Sequence, residues 1–305
     1  MASLMTNASA MTALQTLNNI SKNLATTQNR ISTGLRVAEA SDNAAYWSIA
    51  TTMRSDNKAN SVVQDALGLG AGKIDTAYTA MNSAIEVVDQ IKEKVLLAKT
   101  ASAEDRSKIQ SEIEALQAQL TDSIGGANYA GSNLLQTDST ATTTTLKIVS
   151  SYNRDSTGAV TTGTIDIDLA DTRLIDTGGN TGILDTETTT TGTGGVTVSV
   201  LTLDVTAAGL DDTDFNELLT AVETALSDMA TGASKLGAAK SRIDLQKDFV
   251  SKLSDAIDRG VGQLVDADMN EESARLSALQ VQQQLGIQAL SIANQNTQGI
   301  LSLFR

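Results

Sequence analysis

The chain has 305 residues, a formal net charge of −14, only 3% aromatic residues, and no Cys, His or Pro. Without Cys and His, the sequence excludes disulfide bonds, thiol nucleophiles, zinc–thiolate sites and imidazole bases. The acidic balance argues against nucleic acid as a partner, because phosphate must be met by Lys and Arg. With so few aromatic residues, we expect closely packed helices rather than a bulky core.

The first segment, residues 1–40, predicts an amphipathic helix. Its apolar residues recur in steps of three, four and seven, a helical spacing, at Leu14, Leu17, Leu24, Ile31 and Leu35. The opening residues lack a basic region followed by an apolar core, so we expect no secretory signal. No apolar run approaches about 18 residues, so we expect no membrane span.

The stretch RISTGLRVAEASDNAAYWSIA, residues 30–50, separates two helical series. Gly34 interrupts the first series, and Ser41 with Asp42 offers an N-cap and an early acidic residue for the next helix. We expect Trp47 and Ile49 to pack, and no partner suited to catalysis is evident. We therefore interpret the stretch as a structural joint, whose candidate residues are Arg30, Gly34, Arg36, Asp42 and Asn43.

Residues 41–136 predict further helices, because apolar residues recur every seven positions from Leu67 through Ile74 and Met81 to Val95. A second series from Ile109 ends at GGAN, a glycine-rich helix stop. LGLGAGKI at 67–74 lacks the first glycine and the hydroxyl residue of a phosphate-binding loop, and it lies inside the heptad series. We therefore predict no nucleotide site there.

Residues 137–205 change to Thr- and Gly-rich tracts with an apolar alternation of period two. Ile165, Ile167 and Leu169 form one such series, and Val196, Val198 and Val200 form another. This pattern predicts a small β-rich insertion.

Helical periodicity returns in residues 206–261, where apolar residues recur every seventh position from Val222 to Ile257. The segment 262–305 carries a last apolar series that includes Leu276, Leu279, Leu290, Ile300 and Phe304. Between these helices, DADMNEESARLS lacks the glycine and the final glutamate of a calcium-binding EF-hand loop, and we interpret it as a linker. We predict no catalytic residues, no metal site and no cofactor.

The predicted fold is mainly α with a small β insertion. Because the heptad pattern is present on both sides of the insertion, we expect the two arms to pair as an antiparallel helical coiled-coil rod with the variable β-rich domain at its tip. Residues 1–36 carry cations and no acid, whereas acids crowd residues 255–272. Opposite charges favour this pairing, but exposed ion pairs are weak, so burial must decide it.

Two blocks at opposite ends of the chain resemble the bacterial flagellins. The first is NRISTGLRVAEASDNAAYWSIA, where Arg30, Gly34 and Asp42 match the family pattern, and the second is SALQVQQQLGIQALSIANQNTQGILSLFR at the end of the chain. Asn43 and the Tyr-Trp pair at 46–47 depart from the commonest pattern and are similar to rhizobium-type alphaproteobacterial flagellins.

The resemblance implies a structural subunit that leaves the cell unfolded through type III export and assembles into the extracellular flagellar filament, the propeller for swimming. It implies as partners other copies of the chain, sister flagellins, an export chaperone, the filament cap and hook-associated proteins, and neither nucleic acid nor membrane. It also implies that residues 1–40 and 262–305 line the inner tube, that 41–136 and 206–261 form the outer tube, and that 137–205 is exposed.

The terminal stripes give a physical reason for assembly. Burying one Leu or Ile is worth about 1.5 to 3 kcal/mol, and a lone helix pair cannot cover both stripes. We therefore expect the ends to order as neighbouring copies arrive. The candidate interface residues are Leu14, Leu17, Leu24, Ile31, Leu35, Leu276, Leu279, Leu290, Ile300 and Phe304.

Three alternatives remain at this point. A hook-filament junction protein would share the terminal blocks but would not polymerise indefinitely. A secreted coiled-coil adhesin would bind through the Thr-rich middle. An enzyme is disfavoured, because the sequence has no triad, metal cluster or paired carboxylates in a plausible cleft.

Overall fold

The computed structural model describes residues 7–142 and 144–303, with the backbone alone for 296–303. Long helices flank a middle region that contains the strands, so the fold is mainly α with a small β insertion, as predicted. The helices are α1 (Ala8–Thr33), α2 (Ala44–Thr100), α3 (Ala103–Gly126), α4 (Asp212–Val265) and α5 (Met269–Leu303).

The described residues divide into two compact units. Unit 1 runs from the N-terminal side to Asn57 and resumes at Asp255, and unit 2 is Lys58–Ser254. Both boundaries lie inside a helix, α2 at one and α4 at the other. The five segments expected from the sequence are a finer division and stay a prediction.

The heptad series forms the core of unit 2. Leu67, Ile74, Met81, Val88 and Val95 of α2 are all fully buried, as their spacing indicates. They share one apolar cluster with residues of α3 and α4 that recur at the same interval, which include Ile113, Leu120, Val222, Met229, Leu236 and Ile243. Each side chain buried in this way stabilises the fold by about 1.5 to 3 kcal/mol, so this cluster is the main source of stability in unit 2.

The middle region pairs its strands two by two. The strands are β1 (Asn128–Tyr129) with β2 (Ser132–Asn133), β3 (Gln136–Thr137) with β6 (Ile175–Asp176), β4 (Thr145–Arg154) with β5 (Val160–Asp168), and β7 (Thr188–Thr189) with β8 (Thr197–Val198). The β3–β6 pair is parallel and the others are antiparallel. Ile148 and Ile165, which face each other across β4 and β5, belong to the same cluster as the helices. The strands therefore share the core of the helices.

The alternation at Val196, Val198 and Val200 is only partly a strand. A 3₁₀ helix begins at Val200, because Ser199 and Thr202 form a capping box in which the Ser199 N–H donates to the Thr202 hydroxyl at 2.9 Å. The alternation of apolar residues predicted a strand through Val200, but the hydrogen bonds between Ser199 and Thr202 end the strand before it.

The glycines of LGLGAGKI lie within α2, and they permit close packing of the strands. A Cβ built on Gly70 would lie 2.6 Å from the Ile148 side chain, and one built on Gly72 would lie 2.6 Å from the Tyr129 ring. Glycine costs helix stability, and here it lets the side chains of the middle region contact the helix backbone.

Candidate assembly site

The joint after α1 is held in unit 1 by backbone hydrogen bonds to the turn between α4 and α5. Leu35 pairs with Asp266 in an antiparallel bridge. The Ala267 N–H donates to the Gly34 carbonyl at 2.9 Å, and the Arg36 N–H donates to the Val265 carbonyl at 2.6 Å. The joint therefore connects two parts of the chain that are more than 200 residues apart in sequence.

Gly34 and Arg36 each satisfy a helix end. Gly34 ends α1 in the left-handed conformation, with φ of 72°, and its N–H donates to the Arg30 carbonyl at 2.8 Å, which is the usual role of a C-terminal glycine. The Arg36 guanidinium donates to the Leu264 carbonyl at 3.0 Å, at the last turn of α4. A cation is favourable there because the final carbonyls of a helix lack backbone partners and carry partial negative charge.

Asp42 and Asn43 shape the entry to α2. The Asp42 carboxylate accepts hydrogen bonds from the N–H groups of Ala38 and Glu39 at 3.0 and 3.2 Å. The Asn43 side chain accepts from the Tyr46 N–H at 3.2 Å. The expectation that Ser41 caps the helix is wrong, because Asp42 closes the preceding turn and α2 starts only at Ala44.

Trp47 and Ile49 also differ from expectation. We expected both to pack, but they are 39% and 49% exposed. The register of α2 instead buries Ala50, which joins a small apolar cluster with Val261 and Val265. Ile49 and Ala50 are adjacent in sequence, but the helix turns Ala50 toward the cluster and Ile49 toward solvent.

Arg30 forms a partly buried ion pair with α5. Its guanidinium lies 3.0 Å from Oε1 of Glu272, which is only 5% exposed, and Arg275 contacts the same oxygen at 3.1 Å. The cationic start of the chain and the acidic segment before its end thus meet, as their charges indicated. Oε2 of Glu272 is buried without a hydrogen-bond partner among the described residues. Losing a partner from such a pair is costly.

Helices α1 and α5 pair antiparallel. Asn7 at the start of α1 donates from its side chain to the Ala293 carbonyl at 3.1 Å, and Arg30 at the other end of α1 meets Glu272. Between these contacts a Cβ built on Gly286 would lie 3.2 Å from Leu17. The Leu17 side chain of α1 therefore packs against the backbone of α5 at the position where α5 has no side chain.

The structure places the predicted interface residues unequally. Leu279 is buried, whereas Leu14 is 52% exposed. The remaining described ones are half-buried, so the chain itself covers part of the stripe: Leu17, Leu24, Ile31, Leu35, Leu276 and Leu290. The Ile300 side chain and Phe304 lie outside the described residues.

Besides Leu14, which the sequence predicted as an interface residue, four exposed apolar side chains of α1 and α5 were missed by sequence reasoning: Met11, Val281, Leu285 and Ile292. Met11 and Leu14 are exposed three residues apart on α1, and Val281, Leu285 and Ile292 are exposed with spacings of four and seven on α5. We call these five residues the terminal apolar faces. The helical spacing of the four missed residues was a signal that could have revealed them, but the longer apolar series on the same helices is the stronger pattern.

Unit 1 has little core of its own. Its described apolar cluster consists of Val37, Ala50, Val261 and Val265, with half-buried neighbours. Large apolar surfaces left in water mark sites of association. The arrangement offers surface for packing, and the described residues contain neither a cluster of three or more metal-ligating side chains nor a helix able to cross a membrane.

Comparison with known proteins agrees with this reading. Residues 4–166 match the bacterial flagellin N-terminal helical region, and residues 219–304 match the bacterial flagellin C-terminal helical region. A flagellin of Brucella melitensis is 55% identical over 305 residues, and flagellins A and C of Rhizobium meliloti are 45% and 46% identical over 395 and 321 residues; each alignment covers 100% of both chains. The crystal structure of Bacillus cereus flagellin overlaps 62% of this chain and 88% of that chain at a TM-score of 0.38 and 20% identity, too low to carry a structural argument. The chain belongs to the bacterial flagellin family.

Proposed function

We propose that this flagellin, a structural subunit of the flagellar filament, assembles with copies of itself through the terminal apolar faces of α1 and α5. The observation that supports the proposal is the exposure of these faces on a unit with little core of its own. Covering even part of each side chain in a neighbouring copy would favour assembly, since complete burial is worth about 1.5 to 3 kcal/mol per residue.

The ion pair and the joint would give every copy the same assembly surface. Arg30 and Glu272 hold one end of the α1–α5 pair, and Asn7 with Ala293 holds the other. Because these contacts fix the alignment of α1 with α5, every subunit can present the same surface to the next copy. Head-to-tail contacts of this kind continue into a filament when they do not close into a ring.

We infer the remaining partners and the location from the same surface. An exposed apolar face on α5 would aggregate before assembly, so an export chaperone is expected to cover it. The assembled subunit would lie outside the cell, beside sister flagellins, with the filament cap and hook-associated proteins at the filament ends. In this scheme the joint residues link an inner layer to an outer one.

Seeded elongation tests the proposal. In the double variant Val281→Asn and Leu285→Asn, the subunit should keep its helix content and melting temperature, because both side chains are exposed, but should no longer extend filament seeds. The matched control Gln282→Asn changes an exposed polar residue of the same helix turn and should elongate normally. Electron microscopy measures filament length.

Two results would count against the proposal. Normal elongation of the double variant would show that the terminal apolar faces are not the contact. Growth of the unchanged chain that stops after a fixed short length would instead be the behaviour of a hook-filament junction protein.

A further inference from the structure

The tract TTTTGTGG, residues 188–195, belongs to a short hairpin of unit 2. It forms β7 and the connection to β8, and we call residues 188–198 the flap. The flap and α4 border a cavity of about 490 Å³, with Val198 on the flap side and Leu218 and Val222 on the helix side. The flap therefore covers part of the apolar side of α4.

Little apolar packing holds the flap in place. Its only aliphatic side chains are those of Val196 and Val198, and both residues are half-buried. No residue of the flap is among the buried members of the core cluster of unit 2. The strands β7 and β8 pair at only two positions. Polar contacts must therefore keep the flap closed on α4.

Three carboxylates at the start of α4 hold the connection between β7 and β8. Asp211, Asp214 and Glu217 follow one another at intervals of three residues, so they lie along one side of the helix. Thr191 donates its N–H and its hydroxyl to Glu217 at 2.6 and 2.5 Å. Thr193 donates the same two groups to Oδ2 of Asp211 at 3.0 and 2.8 Å. Hydrogen bonds to ionised acceptors are roughly twice as strong as neutral ones, so these contacts depend on the charge of the carboxylates.

The glycines of the tract allow its backbone to reach a buried carboxylate. Asp214 is fully buried, and its Oδ2 accepts a hydrogen bond from the Gly194 N–H at 3.0 Å. A Cβ built on Gly192 would lie 2.5 Å from Oδ1 of Asp211 and from Cγ of Asp214. Any side chain at Gly192 would therefore push the flap away from α4.

The contacts of the flap favour the ionised form of the aspartates. Hydrogen bonds from the N–H groups of Thr193 and Asp214 hold the pKa of Asp211 well below its usual range. The Thr190 hydroxyl and the Gly194 N–H lower the pKa of Asp214. Stability from groups of this kind is present above an ordinary Asp pKa of about 4 and is lost as pH falls below it.

Other charged groups near the start of α4 do not neutralise the three carboxylates. Lys99 and Arg106 contact neighbouring residues of α4 instead, and among the described residues none of the three carboxylates forms an ion pair. The flap has no titratable side chain. The further acids here are Asp212 in the first turn of α4 and Asp204, which accepts hydrogen bonds within its own turn. The donors of the flap and the N-terminus of α4 therefore keep the carboxylates ionised.

We propose that the flap is an acid-released lid on this cavity, closed on α4 while Asp211 and Asp214 are ionised and open when they are protonated. A protonated carboxyl group loses its charge, so the hydrogen bonds from the flap weaken. Opening would bring water to the cavity wall, where Leu218 and Val222 are fully buried in the closed form. The proposal goes beyond the filament role and uses no residue of the terminal apolar faces.

A distance measurement between the flap and α4 tests the proposal. The chain has no Cys, so Thr197→Cys and Ser227→Cys, both at exposed positions, give two specific sites for spin labels. Double electron–electron resonance on the full chain should show one short distance at neutral pH. A second, longer distance should rise several-fold in population as pH falls from about 5 to about 3. Circular dichroism at 222 nm should stay constant over this range, because the helices keep their own core.

Two variants of the labelled chain separate charge from shape. Asp211→Asn with Asp214→Asn removes the charges and should populate the longer distance already at neutral pH. Gly192→Ala should do the same with every carboxylate intact, and it decides the question if the double variant does not fold. Asp212→Asn, which removes a neighbouring charge that does not contact the flap, should leave the flap closed at neutral pH.

Three results would overturn the proposal. The first is a flap that stays closed in the unchanged sequence down to about pH 3. The second is a flap that stays closed at neutral pH in either folded variant. The third is a longer distance that appears only together with loss of helix, which would be general acid unfolding. Filament growth is measured separately, so this proposal and the proposed function can fail independently.

Discussion

Glu272 is a buried carboxylate that joins two helices through one of its oxygens. Oε1 accepts hydrogen bonds from Arg30 of α1 and from Arg275 of α5 at 3.0 and 3.1 Å. Because Arg30 is itself 28% exposed, water screens part of the attraction. The main effect of the Arg30–Glu272 ion pair is therefore to fix which residues of α1 and α5 contact each other.

Glu272→Gln should destabilise unit 1. The amide retains the shape of the side chain but leaves the Arg30 cation without a buried counter-ion, so we expect a loss of about 1 to 3 kcal/mol. Urea unfolding followed by the fluorescence of Trp47, the single Trp of the chain, reports on this unit. Glu271→Gln, which removes an exposed partner of Arg275, should cost less than about 1 kcal/mol; equal effects of the two variants would contradict the role given to Glu272.

Asp211 caps the start of α4. Hydrogen bonds from the backbone N–H groups of Thr193 and Asp214, and from the Thr193 hydroxyl, hold the pKa of Asp211 well below its usual range. The folded chain therefore keeps this carboxylate ionised at pH values where the unfolded chain has bound a proton. Stability from this group is present above an ordinary Asp pKa of about 4 and is lost as pH falls below it.

The variant Asp211→Asn should lack the pH-dependent stability that the Asp211 carboxylate contributes. At neutral pH we expect a lower melting temperature than wild type, and we expect the gap to close as pH falls from about 5 to about 2. Circular dichroism at 222 nm over this range is the measurement, with Asp212→Asn as the neighbouring control of equal charge change. A gap that stays constant with pH would show that the cap does not depend on ionisation.

At the scale of elements, the phase of α2 decides which of its leucines stabilises the fold. Leu67 is fully buried in the heptad core, and Leu69, two residues later, is 50% exposed. The two residues have the same chemistry and helix propensity. A comparison of Leu67 with Leu69 therefore measures the effect of burial alone, within a single helix turn.

Leu67→Ala should cost about 2 to 5 kcal/mol, because it removes buried methyl groups and leaves a cavity. Leu69→Ala should change the free energy of unfolding by less than about 0.5 kcal/mol, as is usual for exposed positions. Urea denaturation followed by circular dichroism compares the two variants directly. Similar losses would mean that the assigned register of α2 is wrong.

Across the whole molecule, the apolar surface is divided unevenly between the two units. Unit 2 buries an extensive cluster from α2, α3, α4 and the strands, whereas the described cluster of unit 1 is small. Unit 2 can therefore fold through its own contacts. In our proposal unit 1 gains further burial from other copies, so assembly is coupled to the ordering of the chain ends.

Removal of residues 1–20 tests this coupling. It deletes the first half of α1, and with it Met11, Leu14 and Leu17, which contacts Gly286, but it leaves unit 2 intact. The truncated chain should remain soluble and largely helical, and it should not elongate filament seeds. Hydrogen exchange of the full chain should show protection of α1 and α5 rising on incorporation; elongation by the truncated chain at the normal rate would refute the coupling.

Much of the fold was readable because the physical signals are local and periodic. Leu67, Ile74 and Met81 repeat every seven residues, and a seven-residue repeat commits a helix to one packed side. Gly34 stopped α1 as expected, because a left-handed helix end needs a residue without a side chain. The two sequence blocks at opposite ends of the chain indicated the family.

Other features depend on what neighbours provide. Asn43, and not Ser41, caps α2, because Asp42 had already bound the preceding turn. Trp47 stayed exposed because Ala50 fitted against Val261 and Val265. Met11, Val281, Leu285 and Leu69 are exposed beside longer apolar series on the same helices. The spacing alone does not say which of two series is covered within the chain.

The sequence by itself determined the helices, the β insertion, the family and the general attraction between a cationic start and an acidic approach to the end. Only the tertiary structure decided that Arg30 meets Glu272, that Arg36 binds the carbonyls at the end of α4, and which apolar side chains remain in water. The reason is physical: periodicity is a property of one element, whereas burial and ion pairing depend on contacts between residues that only the folded chain brings together.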